Sequence, residues 1–144
     1  MSTAPYDTDF YRWTAETARA LREGRLADVD LGHVAEEIED MGKKERRELL
    51  SRMAVLLAHL LKWVRQPGRR SNSWRATVAE QRLELQLLLE DSPSLRREME
   101  GQLARAYARA VLIAIEDTDL PESAFPTACP FAVEQVLDPS FWPE

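Results

Sequence analysis

The sequence predicts an all-α fold: a single-domain bundle of about five helices with a proline-rich C-terminal arm containing one short helix. Three observations predict it. Glycine occurs only five times in 144 residues and sits at the edges of apolar-periodic stretches. Within those stretches the apolar residues recur at helical spacing, not in the strict alternation of a strand. From Asp119 onward the character changes, with five of the eight prolines in the closing segment. The expected division is a helical bundle over about 1–118 and an arm over 119–144.

The first helix is read in "YDTDFYRWTAETARALREG". Asp7 or Asp9 caps it, Phe10, Trp13 and Leu21 form a rough apolar stripe, and Gly24 ends it. After "RLADVD", Asp30 caps a second helix, "LGHVAEEIEDM", with Leu31, Val34, Ile38 and Met41 on one face. Gly42 is expected to end or bend it. A third helix spans about Lys43 to Gln66. Its first turns are charged, and its second half is apolar over a wide arc, as in the central helix of a bundle. Pro67 and Gly68 stop it. The fourth helix starts at Ser71 or Ser73 and runs to about Leu89. Ser92 and Pro93 then open a fifth, which reaches Asp117 and carries alanines that let a neighbour approach closely. The arm holds Leu120, Phe125, Phe131, Phe141 and Trp142 and is too apolar for a disordered tail. A short helix is expected at Phe131–Leu137.

Composition narrows the function classes. The chain has one cysteine, Cys129, which excludes an internal disulfide and favours a reducing compartment. The opening "MSTAPYDTDF" has neither the basic nor the apolar region of a secretory leader. "MAVLLAHLLKWV" is broken by His59 and Lys62 and is too short to span a bilayer. The expected location is the cytoplasm, away from any membrane.

Charge is unevenly placed. The net charge is −6, yet residues 49–79 hold six cations and no Asp or Glu. Five of the six lie in "LLKWVRQPGRRSNSWRAT", the turn between the third and fourth helices. Arg69, Arg70 and Arg75, with Ser73 and Trp74, surround the start of the fourth helix, where amides without intrahelical partners and the helix dipole favour an anion. Such a place suits a phosphate, a carboxylate or an acidic protein surface. The plain alternative is a solvated turn whose cations complement the end of the third helix. Duplex DNA is disfavoured, because the rest of the surface is acidic and no DNA-reading motif is present.

A second candidate is a polar cluster. His59 and Lys62 share a stripe of the third helix. If the hairpin turns about position 70, residues at one height sum to about 140, and His59 stands level with Gln81 and Arg82. Read structurally, these four groups fix helix register by hydrogen bonding. Read chemically, His59, Lys62 and Arg82 form an enzyme site with Glu36 or Glu37 as metal ligand or base. "HVAEEIED" places His33 and Glu37 four apart, but a solvated acidic face paired with "KKERR" explains the segment as well. No metal or cofactor is expected. Cys129 has no sequence-near base, and there is no phosphate loop or nucleophile elbow. The catalytic residues are therefore unknown, and the favoured reading is a non-enzymatic interaction module. A homodimer exchanging the arm stays open beside it.

Six stretches in order, "YDTDFYRWT", "EEIEDMGKKERREL", "LLAHLLKW", "QPGRRSNSWRATVAEQR", "LEDSPSL" and "FPTACPFAVEQVLDPSFWPE", resemble a bacterial family catalogued as domain of unknown function 29. The resemblance runs from about Tyr6 to Pro143. It rests on Glu36, Glu37, Ile38, Glu39 and Gly42, then His59, Leu60, Leu61, Lys62 and Trp63, then Ser73, Trp74, Gln81 and Arg82. It implies a compact all-helical fold in a small cytoplasmic bacterial protein, and no activity.

Overall fold

The computed structural model describes residues 5–144. Residues 1–4, part of the stretch read for a leader, lie outside the described residues. The fold is all-α. Its helices are α1 (Phe10–Arg22), α2 (Leu31–Arg65), α3 (Asn72–Asp91), α4 (Leu95–Thr118) and the short α5 (Val133–Leu137), with single 3-10 turns at Leu26–Asp28, Pro67–Arg69 and Glu122–Ala124. Contacts cluster into two compact units, Met1–Lys44 and Glu45–Glu144.

In the first unit, the Asp9 carboxylate accepts the Arg12 amide and caps α1. At the other end Gly24 takes φ +72, and Arg25 N donates back to Ala20 O at 2.9 Å. This is a left-handed helix stop that a side chain would strain. Trp13, Thr17 and Ala20 are the buried face of α1. The Tyr6 ring stacks on His33 at 4.0 Å, and Trp13 meets Tyr6 edge-on at 4.8 Å. Asp30 caps α2 through the His33 amide at 3.2 Å and also holds the His33 ring nitrogen at 2.7 Å.

The expected break at Gly42 is not made: α2 passes through it as one helix of 35 residues. A glycine inside a helix costs about 1 kcal/mol relative to alanine, which strong helix formers on both sides can outweigh. A proline would have stopped the helix, and the first one met is Pro67.

The second unit is built on the C-terminal half of α2. Leu49, Met53, Leu56, Leu57 and Leu60 are fully buried there, against Val78 and Leu85 of α3 and Met99 of α4. Ala106, Ala110 and Ala114 of α4 are also fully buried in this core. Phe125, Phe131, Val133 and Val136 of the C-terminal segment belong to this same core. Each such side chain contributes roughly 1.5–3 kcal/mol by leaving water. Ser71 is the cap of α3, accepting the Trp74 amide at 3.2 Å, and Ser73 lies inside the helix. Ser92 follows the end of α3 and receives the Leu95 amide on its backbone oxygen, so Pro93 sits in a turn and α4 begins at Leu95. α5 starts at Val133, two residues later than expected, because Gln135 Oε1 accepts the Ala132 amide at 2.9 Å and fixes the entry there.

Candidate functional site

The hairpin between α2 and α3 stacks cations on aromatic rings. Trp63 is buried at the end of α2. The Arg70 guanidinium carbon lies 4.6 Å from its ring centroid and that of Arg75 lies 5.1 Å away. Arg70 Nε also donates to the Trp63 carbonyl at 2.9 Å, and Arg75 reaches Asn72 Oδ1 at 3.3 Å. Trp142 closes on Trp63 with centroids 4.4 Å apart. Such contacts orient a guanidinium plane without neutralising its charge.

The six cations of residues 49–79 divide into two groups. Arg52 pairs with Glu48 at 3.5 Å and Glu84 at 3.8 Å, and Lys62 pairs with Asp117 at 3.1 Å. Arg65, Arg69, Arg70 and Arg75 form no ion pair with a carboxylate among the described residues. Arg65, Arg69 and Arg75 are exposed, as is Ser73, while Trp74 is half-buried. The first turn of α3 is partly satisfied already, because Ser71 occupies the Trp74 amide.

The polar cluster separates into three contacts. The 3-10 turn at Pro67–Arg69 centres the hairpin on position 68, two residues before the expected turning point. Paired heights therefore sum to about 136, and α3 shifts by one turn against α2. Arg52, rather than His59, accordingly reaches Gln81 Oε1, at 3.5 Å. His59 Nδ1 donates to the Val55 carbonyl at 2.9 Å, leaving Nε2 as the lone-pair nitrogen of the neutral ring. Burial pushes the His59 pKa down, and neighbouring Lys62 pushes the same way against the Val55 bond and Asp117. Lys62 is buried, with its ammonium 4.8 Å from the Trp74 ring centroid and bound to Asp117. Arg82 is turned away to the C-terminal segment. Its Nε donates to Val136 O at 2.9 Å and its Nη2 to Gln135 O at 3.2 Å, and Trp142 covers it at 5.7 Å.

Of the groups sequence reasoning brought together, then, His59 and Lys62 stay neighbours while Gln81 and Arg82 serve other contacts. Asp117 and Trp142 were missed. Asp117 lies 55 residues from Lys62, and no local spacing signals the pair. In the first unit, His33 is held by Asp30, and Glu37 accepts the Tyr6 hydroxyl. That bond pushes the Tyr6 pKa up to about 12. Among the described residues no group of three or more His, Cys, Asp and Glu side chains is arranged to hold a metal.

Among the described residues, the second unit has clefts on two sides of the C-terminal segment. A half-open one of about 970 Å³ runs between α4 and residues 121–127, with Val111, Leu112, Phe125 and Pro126 in its walls. A smaller one of about 240 Å³ has Arg82, Leu83, Leu137 and Trp142 around it. Neither is lined by His59 or Lys62. No helix among the described residues is long and apolar enough to cross a membrane.

The family described as "Domain of unknown function DUF29" matches residues 5–142, nearly the whole chain. No curated protein and no solved structure is detectably similar to the chain. The chain belongs to the DUF29 family.

Proposed function

We propose that this DUF29 protein is a non-enzymatic binding module that recognises an acidic or phosphate-bearing partner through the α2–α3 hairpin. One observation carries the reading: four arginines, Arg65, Arg69, Arg70 and Arg75, gather at one turn and form no ion pair with a carboxylate among the described residues. In a chain of net charge −6 with 25 acidic residues, cations left without a carboxylate are not explained by a shortage of acids. Trp63 holds two of the guanidinium groups in place, which lowers the entropy lost when they engage an anion. The Lys62–Asp117 bond serves in this reading to join α2 to α4 behind the hairpin.

The test uses tryptophan emission, since Trp63 and Trp74 flank the cations. Arg70 is bonded to Trp63, so the informative variant is the exposed pair R65E/R69E. Titration with inorganic pyrophosphate and with a poly-glutamate peptide should give a saturable change for at least one of them in the wild type. In R65E/R69E that affinity should fall about tenfold or more with helix content unchanged. Equal affinity in the two proteins would overturn the assignment.

A further inference from the structure

We infer that the cleft between α3 and the C-terminal segment binds a small monocarboxylic acid with an apolar body, its carboxylate on Arg82 and its body among Leu83, Leu137 and Trp142. None of the hairpin arginines takes part. Ala79, Arg82, Leu83 and Gln86 stand at i, i+3, i+4 and i+7 of α3, so they share one face of that helix. Leu137, Pro139 and Trp142 complete the walls around a space of about 240 Å³. Sites for drug-sized molecules run from about 300 to 1,000 Å³, so this one suits a smaller guest.

The wall carries a buried cation without a counter-charge. Arg82 is 4% exposed, yet it forms no ion pair with a carboxylate among the described residues. A charge buried without a partner is costly, and a guanidinium keeps its proton rather than becoming neutral. Burial pushes the Arg82 pKa down, and Asp138 pushes it back up. That carboxylate is engaged elsewhere: its Oδ1 accepts the Ser140 amide at 2.9 Å and the Ser140 hydroxyl at 2.7 Å. Arg82 Nε is taken by Val136 O, and one N–H of Nη2 by Gln135 O. Nη1, with its own N–H donors, has no acceptor among the described residues. It is not sealed in either, because among the described residues Thr17 Oγ1 is the one fully enclosed side-chain oxygen or nitrogen without a partner.

The unused donor and the apolar walls together set the class of ligand. One unpaired guanidinium calls for one negative charge, and a carboxylate supplies it with charge-assisted hydrogen bonds. Few surrounding polar groups compete for those bonds, so they count for more than they would in water. Leu83 and Leu137 and the ring of Trp142 then reward a flat or branched hydrocarbon body, which a bare inorganic anion lacks. Trp142 already lies over the guanidinium at 5.7 Å and limits how it can turn, so little ordering is left for the moment of binding.

Calorimetric titration of the full chain with phenylacetate, and with phenylacetamide as its uncharged counterpart, tests this. Phenylacetate should bind saturably and about tenfold or more tightly than the amide. R65E/R69E should bind it with wild-type affinity, which separates this cleft from the hairpin. Leu83 is 54% exposed and Ala79 is exposed one turn away, so L83E and A79E alter the cleft without opening the core. Each should lower the affinity about tenfold or more with helix content unchanged, because a fixed carboxylate beside Arg82 repels the incoming one and takes its place. No binding of phenylacetate up to about 10 mM would overturn the inference. So would equal affinity for the amide, loss of binding in R65E/R69E, or wild-type affinity in either cleft variant.

Discussion

His59 is half-buried, donates Nδ1 to its own helix, and has its pKa pushed below the ordinary value by burial. The folded ring therefore binds a proton less readily than the unfolded one. As pH falls, the unfolded chain takes up more protons there, and its share of stability, present above the unfolded pKa of about 6.5, is lost through the folded pKa. Thermal midpoints recorded from about pH 7.5 down to about pH 5 should fall for the wild type and fall less for His59→Gln. Parallel profiles for the two proteins would place the acid sensitivity elsewhere. Asp30 and Asp138, whose pKa values are pushed down by accepting backbone amides, lose their contributions only in a more acid range. At this scale the sequence is legible where partners are local. Asp30 as a cap follows from residue type and position, Asp9 as one of two candidates with Asp7, and so does the nearness of His59 to Lys62. The Lys62–Asp117 bond and the tilted packing of Trp142 against Trp63 join residues far apart in the chain, and only the tertiary packing brings them together.

Among the elements, the long apolar stripes were the easiest to read and the boundaries the hardest. Gly42 looked like punctuation, yet α2 continues through it, and a Cβ built there meets nothing within 4 Å. Gly42→Ala should therefore raise stability by up to about 1 kcal/mol in urea unfolding, because it removes backbone freedom from the unfolded chain. A loss of stability would mean that the helix is interrupted at this point. The hairpin turn was misplaced by two residues, since a 3-10 turn at Pro67–Arg69 cannot be told from a loop by composition. That small error moved Gln81 from His59 to Arg52, because a residue at the wrong height on a helix meets a different neighbour. The C-terminal segment is tied to α3 by Arg82, which is 4% exposed and donates to two carbonyls of α5. Arg82→Met should cost about 2–3 kcal/mol and speed hydrogen exchange across Val133–Leu137, because those carbonyls lose a charged donor in a buried setting. Unchanged exchange there would show that the apolar contacts of Phe131, Val133 and Val136 hold the segment alone.

For the molecule as a whole, the all-α class was legible from periodicity and from scarce glycine, and the uneven charge from a plain count. The sequence could not show which cations the fold would neutralise. Lys62 and Arg52 are absorbed by carboxylates, whereas four arginines of the hairpin are not. Anion recognition at the hairpin requires those four to be available to an outside anion. Thermal unfolding in inorganic pyrophosphate, at low and at high sodium chloride, addresses that most directly, with R65E/R69E alongside. With an anion bound at the hairpin, the wild-type midpoint should climb with pyrophosphate at low salt, climb less at high salt, and stay flat in the variant. A climb of the same size in the variant, or one that salt does not diminish, would contradict it.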